Sequence, residues 1–126
     1  MALILTTAVR NAACNAIVDL IDAGGGAGKI EIGTAAMAAT LVTLTFSATA
    51  FGNSAVGVAT AAAITGGTAV GDGTAAAARI RDFADTDIIT GLTVGTGSEN
   101  IVLNSVAINT SDTVDISAMT ITMPAS

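Results

Sequence analysis

The sequence predicts a mainly β domain, an antiparallel β-sandwich of jelly-roll type preceded by one N-terminal α-helix. Three observations carry that expectation. Apolar residues recur at helical spacing only over residues 7–22. From residue 29 onward they alternate with polar ones, and the alternating runs are separated by Gly-rich turns with no helical pattern between them. A chain of 126 residues suits a single domain, 1–126, organised as helix 7–22, glycine hinge 24–28 and sandwich 29–124.

Within 7–22, Val9, Ala13, Ala16 with Ile17, and Leu20 with Ile21 fall on one stripe. Thr6 or Thr7 supplies an N-cap, and Gly24 to Gly26 supply the stop. Asp19 and Asp22 sit at the end of the helix that disfavours negative charge, a cost of about 0.3 kcal/mol each or more. Packing of the apolar stripe must therefore help hold the helix. Cys14 lies beside that stripe and reads as a small buried apolar residue.

After the glycines the period becomes two. Ile30 and Ile32 alternate with Lys29, Glu31 and Gly33, and Val42, Leu44 and Phe46 alternate with Thr43 and Thr45. Ile80 stands between Arg79 and Arg81; Ile88, Thr90, Leu92 and Val94 share one parity. Ile101 with Leu103, Val106 with Ile108, and Val114 with Ile116 continue the pattern. Met119, Ile121 and Met123 are offset by one, which a bulge near Ser117 and Ala118 would absorb. The stretch from Ala55 to Ile64 is Ala-rich, but Val56, Gly57, Val58 and Thr60 favour strand. The count is about eight strands, with turns at Gly66-Gly67, Gly71-Asp72-Gly73, Gly95-Thr96-Gly97 and Asn109 to Asp112.

The composition excludes most site chemistry. There is no His, Trp or Tyr and only one Cys, so Ser-His and Cys-His pairs, ordinary zinc sites and intrachain disulfides are out. Ten acidic against four basic residues give a net charge of −6, which repels phosphate backbones and argues against a nucleic-acid partner. Ala23 to Ile30 imitates a P-loop, yet Ala23 replaces its first Gly and Ile30 its Ser/Thr; helix stop and linker is the better reading. Gly71 to Ala76 is a turn, since no helix follows to hold a pyrophosphate. Asp82, Asp85 and Asp87 could offer oxygens to calcium, but lack EF-hand spacing, and a solvated turn beside Arg79 and Arg81 is expected. Two carboxylates would suffice for glycoside hydrolysis, but there is no Trp or Tyr to stack on a sugar. No enzyme activity and no cofactor are expected. Mean hydropathy is high, at +0.75, but apolar runs such as Ala61 to Ile64 are far too short to span a bilayer, and no basic residue precedes Leu3-Ile4-Leu5 as a signal peptide requires.

One feature points to protein contact. From Ile32 through Gly71 no side chain is charged, and Pro is absent from every strand. Solvent-facing β-strands ordinarily carry charge, whereas the centre of an interface is depleted of it. Val42, Thr43, Thr45, Phe51, Val56 and Val58 are the expected interface residues of this stretch.

The order of motifs resembles small virion proteins from the structural modules of tailed bacteriophages. The resemblance runs through Lys29-Ile30-Glu31-Ile32-Gly33-Thr34, Leu41-Val42-Thr43-Leu44, Phe46 to Gly52 and Ala78-Arg79-Ile80-Arg81-Asp82. It continues through Gly91 to Thr96, Leu103-Asn104, Val114-Asp115-Ile116 and Met119 to Pro124. It implies a capsid cement or decoration protein, a β-sandwich bridging capsomers on the virion exterior after assembly in the host cytoplasm. The implied partners are the major capsid protein and further copies of the chain, with no nucleic acid and no membrane. A low-copy tail, baseplate or fibre protein would use the same physics. A non-viral ligand-binding β-sandwich is the third reading, with calcium at Asp82 as its clue.

Overall fold

The computed structural model describes residues 4–23, 25–47, 49–97, 99, 101–103, 105–116 and 119–123. The protein is mainly β with one N-terminal helix, α1 (Thr7–Asp22). Thr6 caps it, its side chain accepting the Val9 N–H at 3.3 Å. The helix covers the predicted residues, but only part of the predicted stripe faces inward. Ile21 is buried and Ile17 packs against the core, while Val9 and Leu20 are half exposed; Cys14 and Val18 complete the buried face, at i and i+4 with Ile21 at i+7. Cys14 is therefore central to the stripe, and its thiol donates to the Ile121 carbonyl at 3.5 Å.

The main sheet takes β1 (Lys29–Gly33), β2 (Thr40–Thr45), β6 (Ala77–Arg81), β7 (Asp87–Gly95) and β8 (Ile101–Val102) in the order β2-β1-β6-β7-β8. Three two-stranded antiparallel ladders accompany it. They pair β3 (Val58–Thr60) with β11 (Thr120–Thr122), β4 (Gly67–Thr68) with β10 (Thr113–Val114), and β5 (Gly73–Thr74) with β9 (Ala107–Ile108). The expected strand character of the stretch from Ala55 is present at β3.

The main sheet departs from an antiparallel jelly roll: it is a curled, mixed half-barrel. Two features produce this. First, β8 runs parallel to β7, with Ile101 beside Val94 and Val102 beside Gly95, after a return through residues 96–100 alone. Parallel neighbours normally need a crossover of roughly a dozen residues, and here the pairing extends no further than those two positions. Second, β7 is bulged twice against β6. The register passes from Ile80 opposite Ile89 to Ala78 opposite Leu92, so Thr90 and Gly91 both face Arg79; Ile88 is the extra residue before Asp87 meets Arg81. Gly91 takes a φ of 74°, open to glycine at no steric cost. Bulges bend and twist a strand, and they break the single parity predicted for Ile88 to Val94.

The core lies between one face of the sheet, α1 and the small ladders. Ile30, Ile32, Val42, Leu44, Ala78 and Ile80 alternate inward from three adjacent strands. Phe46 and Phe51 meet at a centroid distance of 5.3 Å in a tilted arrangement, adding to their burial. Each such large side chain stabilises the fold by roughly 1.5–3 kcal/mol on burial. The predicted glycine hinge is packed at its far end. A Cβ on Gly28 would lie 2.7 Å from the Ile21 Cγ2, and the Gly28 carbonyl accepts the Phe46 N–H at 3.0 Å. Gly24, the expected bulge at Ser117 and Ala118, and Pro124 lie outside the described residues.

Candidate interaction surfaces

The outward face of the sheet divides into two halves of different chemistry. Across β1, β6 and β7 it carries a ladder of ion pairs. Glu31 stands opposite Arg79 and accepts its Nε–H at 2.7 Å, with the Arg81 Nη1 at 3.5 Å from the same oxygen. Arg81 also donates to Asp87 at 2.7 Å, and Lys29 holds Asp85 at 2.5 Å. That last contact keeps the Asp85 carboxyl below its ordinary pKa, through the hydrogen bond and then the charge of Lys29. Period-two alternation puts Lys29, Glu31, Arg79 and Arg81 on one side because Ile30, Ile32, Ala78 and Ile80 take the other.

On β2 the same face is uncharged. Thr43 lies opposite Glu31 and Thr45 opposite Lys29, and both threonines are exposed. The outer edge of β2 is occupied by this chain's own residues 65–70. Thr45 and Thr65 exchange backbone hydrogen bonds of 3.3 and 2.8 Å, and Val70 donates to the Leu41 carbonyl at 2.8 Å. Thr65, Thr68 and Val70 extend the exposed charge-free surface. Val42 and Phe51, expected at an interface, are core residues, 0% and 2% exposed; they underlie this surface and do not line it. Val58 is half-buried at the start of β3, and Val56 is 67% exposed. The structure thus keeps Thr43 with Thr45 on one face and sets Val56 apart from them at a hairpin tip.

That hairpin is tied to α1 by polar groups. Asn11 Oδ1 accepts the Gly57 N–H at 2.7 Å, Asn15 Oδ1 accepts the Ser54 N–H at 2.9 Å, and Asp22 Oδ1 accepts the Ala50 N–H at 2.8 Å. Ser54 Oγ returns a hydrogen bond to the Asn11 carbonyl at 2.9 Å. The three side-chain acceptors each satisfy a loop N–H that β pairing leaves over. Asp22, unfavourable to the helix dipole, is accounted for by this contact. Sequence reasoning misses the clamp. Its one visible signal is the i, i+4 spacing of Asn11 and Asn15 on an otherwise Ala-rich helix.

The Asp82, Asp85 and Asp87 carboxylates diverge. Asp82 is buried and accepts the Thr86 N–H at 2.9 Å, closing the turn, while the other two go to Lys29 and Arg81. Among the described residues, no group of three acidic or Cys side chains is placed to hold a metal ion. Asp72 has a comparable local task. Its Oδ1 accepts the Thr110 N–H at 2.6 Å and the Thr110 hydroxyl at 3.0 Å, which lowers its pKa and fastens the turn after β9 to the start of β5. A cleft of about 350 Å³ lies between Met37 and the bulge at Thr90 and Gly91. Its one charged residue, Arg79, is committed to Glu31, so no set of free polar groups converges there. No described helix is long and apolar enough to cross a membrane. Set against known proteins, the chain matches no family model, no curated protein and no solved structure.

Proposed function

We propose that this chain is a virion structural protein of a tailed bacteriophage, bound to the outside of the capsid shell as a cement or decoration protein. Its partners are the major capsid protein and further copies of itself, and it carries out no catalysis. In this reading the three small ladders act as the second layer of a sandwich over the half-barrel.

The observation that supports it is the exposed, charge-free surface of residues 32–71, represented by Thr43, Thr45, Thr65, Thr68 and Val70. It adjoins a sheet face whose charges are already paired with one another. Covering threonines, alanines and glycines costs less desolvation than covering charged groups, provided the threonine hydroxyls find partners, and small side chains let a neighbouring backbone approach closely. A modest contact of this kind becomes strong when repeated over a closed shell. The partner is proposed from the resemblance of the sequence motifs to phage virion proteins.

The test is the double substitution Thr43→Lys and Thr45→Lys. The first would place its new ammonium group opposite Glu31 and the second opposite Lys29, so the two cross-strand effects oppose each other and the fold survives. Binding to shells lacking the chain is expected to be lost in the folded double variant. Undiminished binding would remove this face as the contact.

A further inference from the structure

Asp72 is the one aspartate in the chain that is followed by glycine, and no asparagine is followed by one. That order has a chemical consequence. The backbone nitrogen of the next residue can close on an aspartate's own carboxyl, and a side chain on that residue obstructs the closure. Here packing keeps the position bare: a Cβ at Gly73 would lie 3.1 Å from Thr34 Cγ2 and 3.2 Å from Leu41 Cδ2. An unshielded amide nitrogen therefore sits next to an exposed carboxyl.

The fold restrains both groups. Asp72 Oδ1 accepts the Thr110 N–H at 2.6 Å and the Thr110 hydroxyl at 3.0 Å. These bonds hold the carboxyl below its ordinary pKa and so in the ionised form, which an amide nitrogen does not attack. Gly73 lies opposite Ile108 in the ladder of β5 with β9, and Ala75 beyond it donates to the Val106 carbonyl at 2.8 Å. Both restraints come from one short segment, 106–110, and the ladder is two residues long. Short pairings at the periphery open more often than a central sheet does.

We propose that Asp72–Gly73 is a self-modification site, converted to isoaspartate when segment 106–110 lifts away and guarded by Thr110 while that segment is seated. In the open chain the carboxyl takes a proton and the Gly73 nitrogen attacks its Cγ. The N–Cγ bond forms, the Cγ–OH bond breaks, and the hydroxyl leaves as water with the proton from the nitrogen. Water then cleaves the five-membered ring between that nitrogen and the former main-chain carbonyl. The backbone now runs through Cβ and Cγ of Asp72, one carbon longer, and the old carbonyl carbon becomes a free carboxylate. The added carbon falls between β5 and Val70, whose N–H donates to the Leu41 carbonyl on the edge of β2 at 2.8 Å. The reaction needs only water and stands apart from the shell-binding reading.

The test incubates the full chain in heavy-oxygen water, native and in urea, and maps label and isoaspartate by mass spectrometry of its peptides. Isoaspartate at residue 72, and at no other aspartate, is expected to accumulate at least about tenfold faster in urea than in the native chain. Thr110→Val removes the hydroxyl donor and keeps the N–H; it is expected to raise the native rate about three- to tenfold, while Thr110→Ser keeps the natural rate. Equal rates in the native and unfolded chain, or no isoaspartate at residue 72 in urea, would overturn the inference, and that comparison stands even where Thr110→Val does not fold. A folded Thr110→Val chain reacting no faster than the natural one would overturn it as well.

Discussion

Glu31 on β1 and Arg79 on β6 stand directly opposite one another, 2.7 Å apart, and the Glu31 oxygen that accepts from Arg79 also faces Arg81 at 3.5 Å. One carboxylate therefore spaces two guanidinium groups that would otherwise repel across a sheet face. The side chain of Glu31 is 13% exposed, so solvent screens the arrangement only in part. Removing Glu31 takes out the centre of the ladder. Glu31→Gln is expected to cost about 1–2 kcal/mol, read as a lower urea midpoint at unchanged slope. An unchanged midpoint would mean that the ladder contributes only solubility.

Stability should respond to acid through Asp72 and Asp85. Both have folded-state pKa values lowered from 3.8, Asp72 by its backbone and side-chain hydrogen bonds to Thr110, Asp85 by Lys29. A carboxyl with a depressed folded pKa binds its proton more readily when unfolded. Its contribution is complete above the unfolded value and disappears as pH falls through the folded one. Tm is therefore expected to hold between pH 7 and about pH 5, then fall below about pH 4. Asp72→Asn should flatten that fall; the same slope in the variant would show that Asp72 takes no part.

Gly28 distinguishes a packed joint from a free hinge. Alanine there would press its Cβ against Ile21. Gly28→Ala is expected to destabilise the protein by about 1–3 kcal/mol, measured by thermal or urea unfolding. A neutral effect would indicate that α1 swings away from the core.

The clamp between α1 and the hairpin is open to a local measurement. Asn15→Ala leaves the Ser54 N–H without its acceptor, at a cost of about 1–2 kcal/mol. Amide exchange at Ser54 and Gly57 is expected to accelerate while exchange in β1 and β6 stays slow. Uniform acceleration would instead show that the loop and sheet open together.

These tests turn on features of unequal legibility in the sequence. The helix bounds, β1, β2 and β6 follow from periodicity, because Ile30, Ile32, Leu44 and Ile80 are large residues on a clean alternation. The inward face of α1 is legible only at Ile17 and Ile21, because Ala contributes little to any stripe, while Asn11, Asn15 and Asp22 turn inward to serve loop N–H groups far along the chain. Beyond Ile101 several predicted strands contract to two residues each, held by side-chain ties such as Asp72 to Thr110 that have no local signature. The half-barrel is not legible from parity, since the bulges in β7 interrupt it. The outward position of Thr43 and Thr45 is legible from their alternation with Val42 and Leu44; absence of charge alone does not separate them from Val42 and Phe51, which lie in the core.

The proposed place of this protein on a phage shell is tested by its copy number in purified virions relative to the major shell protein, measured by quantitative mass spectrometry. A ratio of one, or a simple fraction of it, is the expected result for a cement protein tiling the capsid. A handful of copies per particle would move it to the tail, and complete absence would contradict the virion reading altogether.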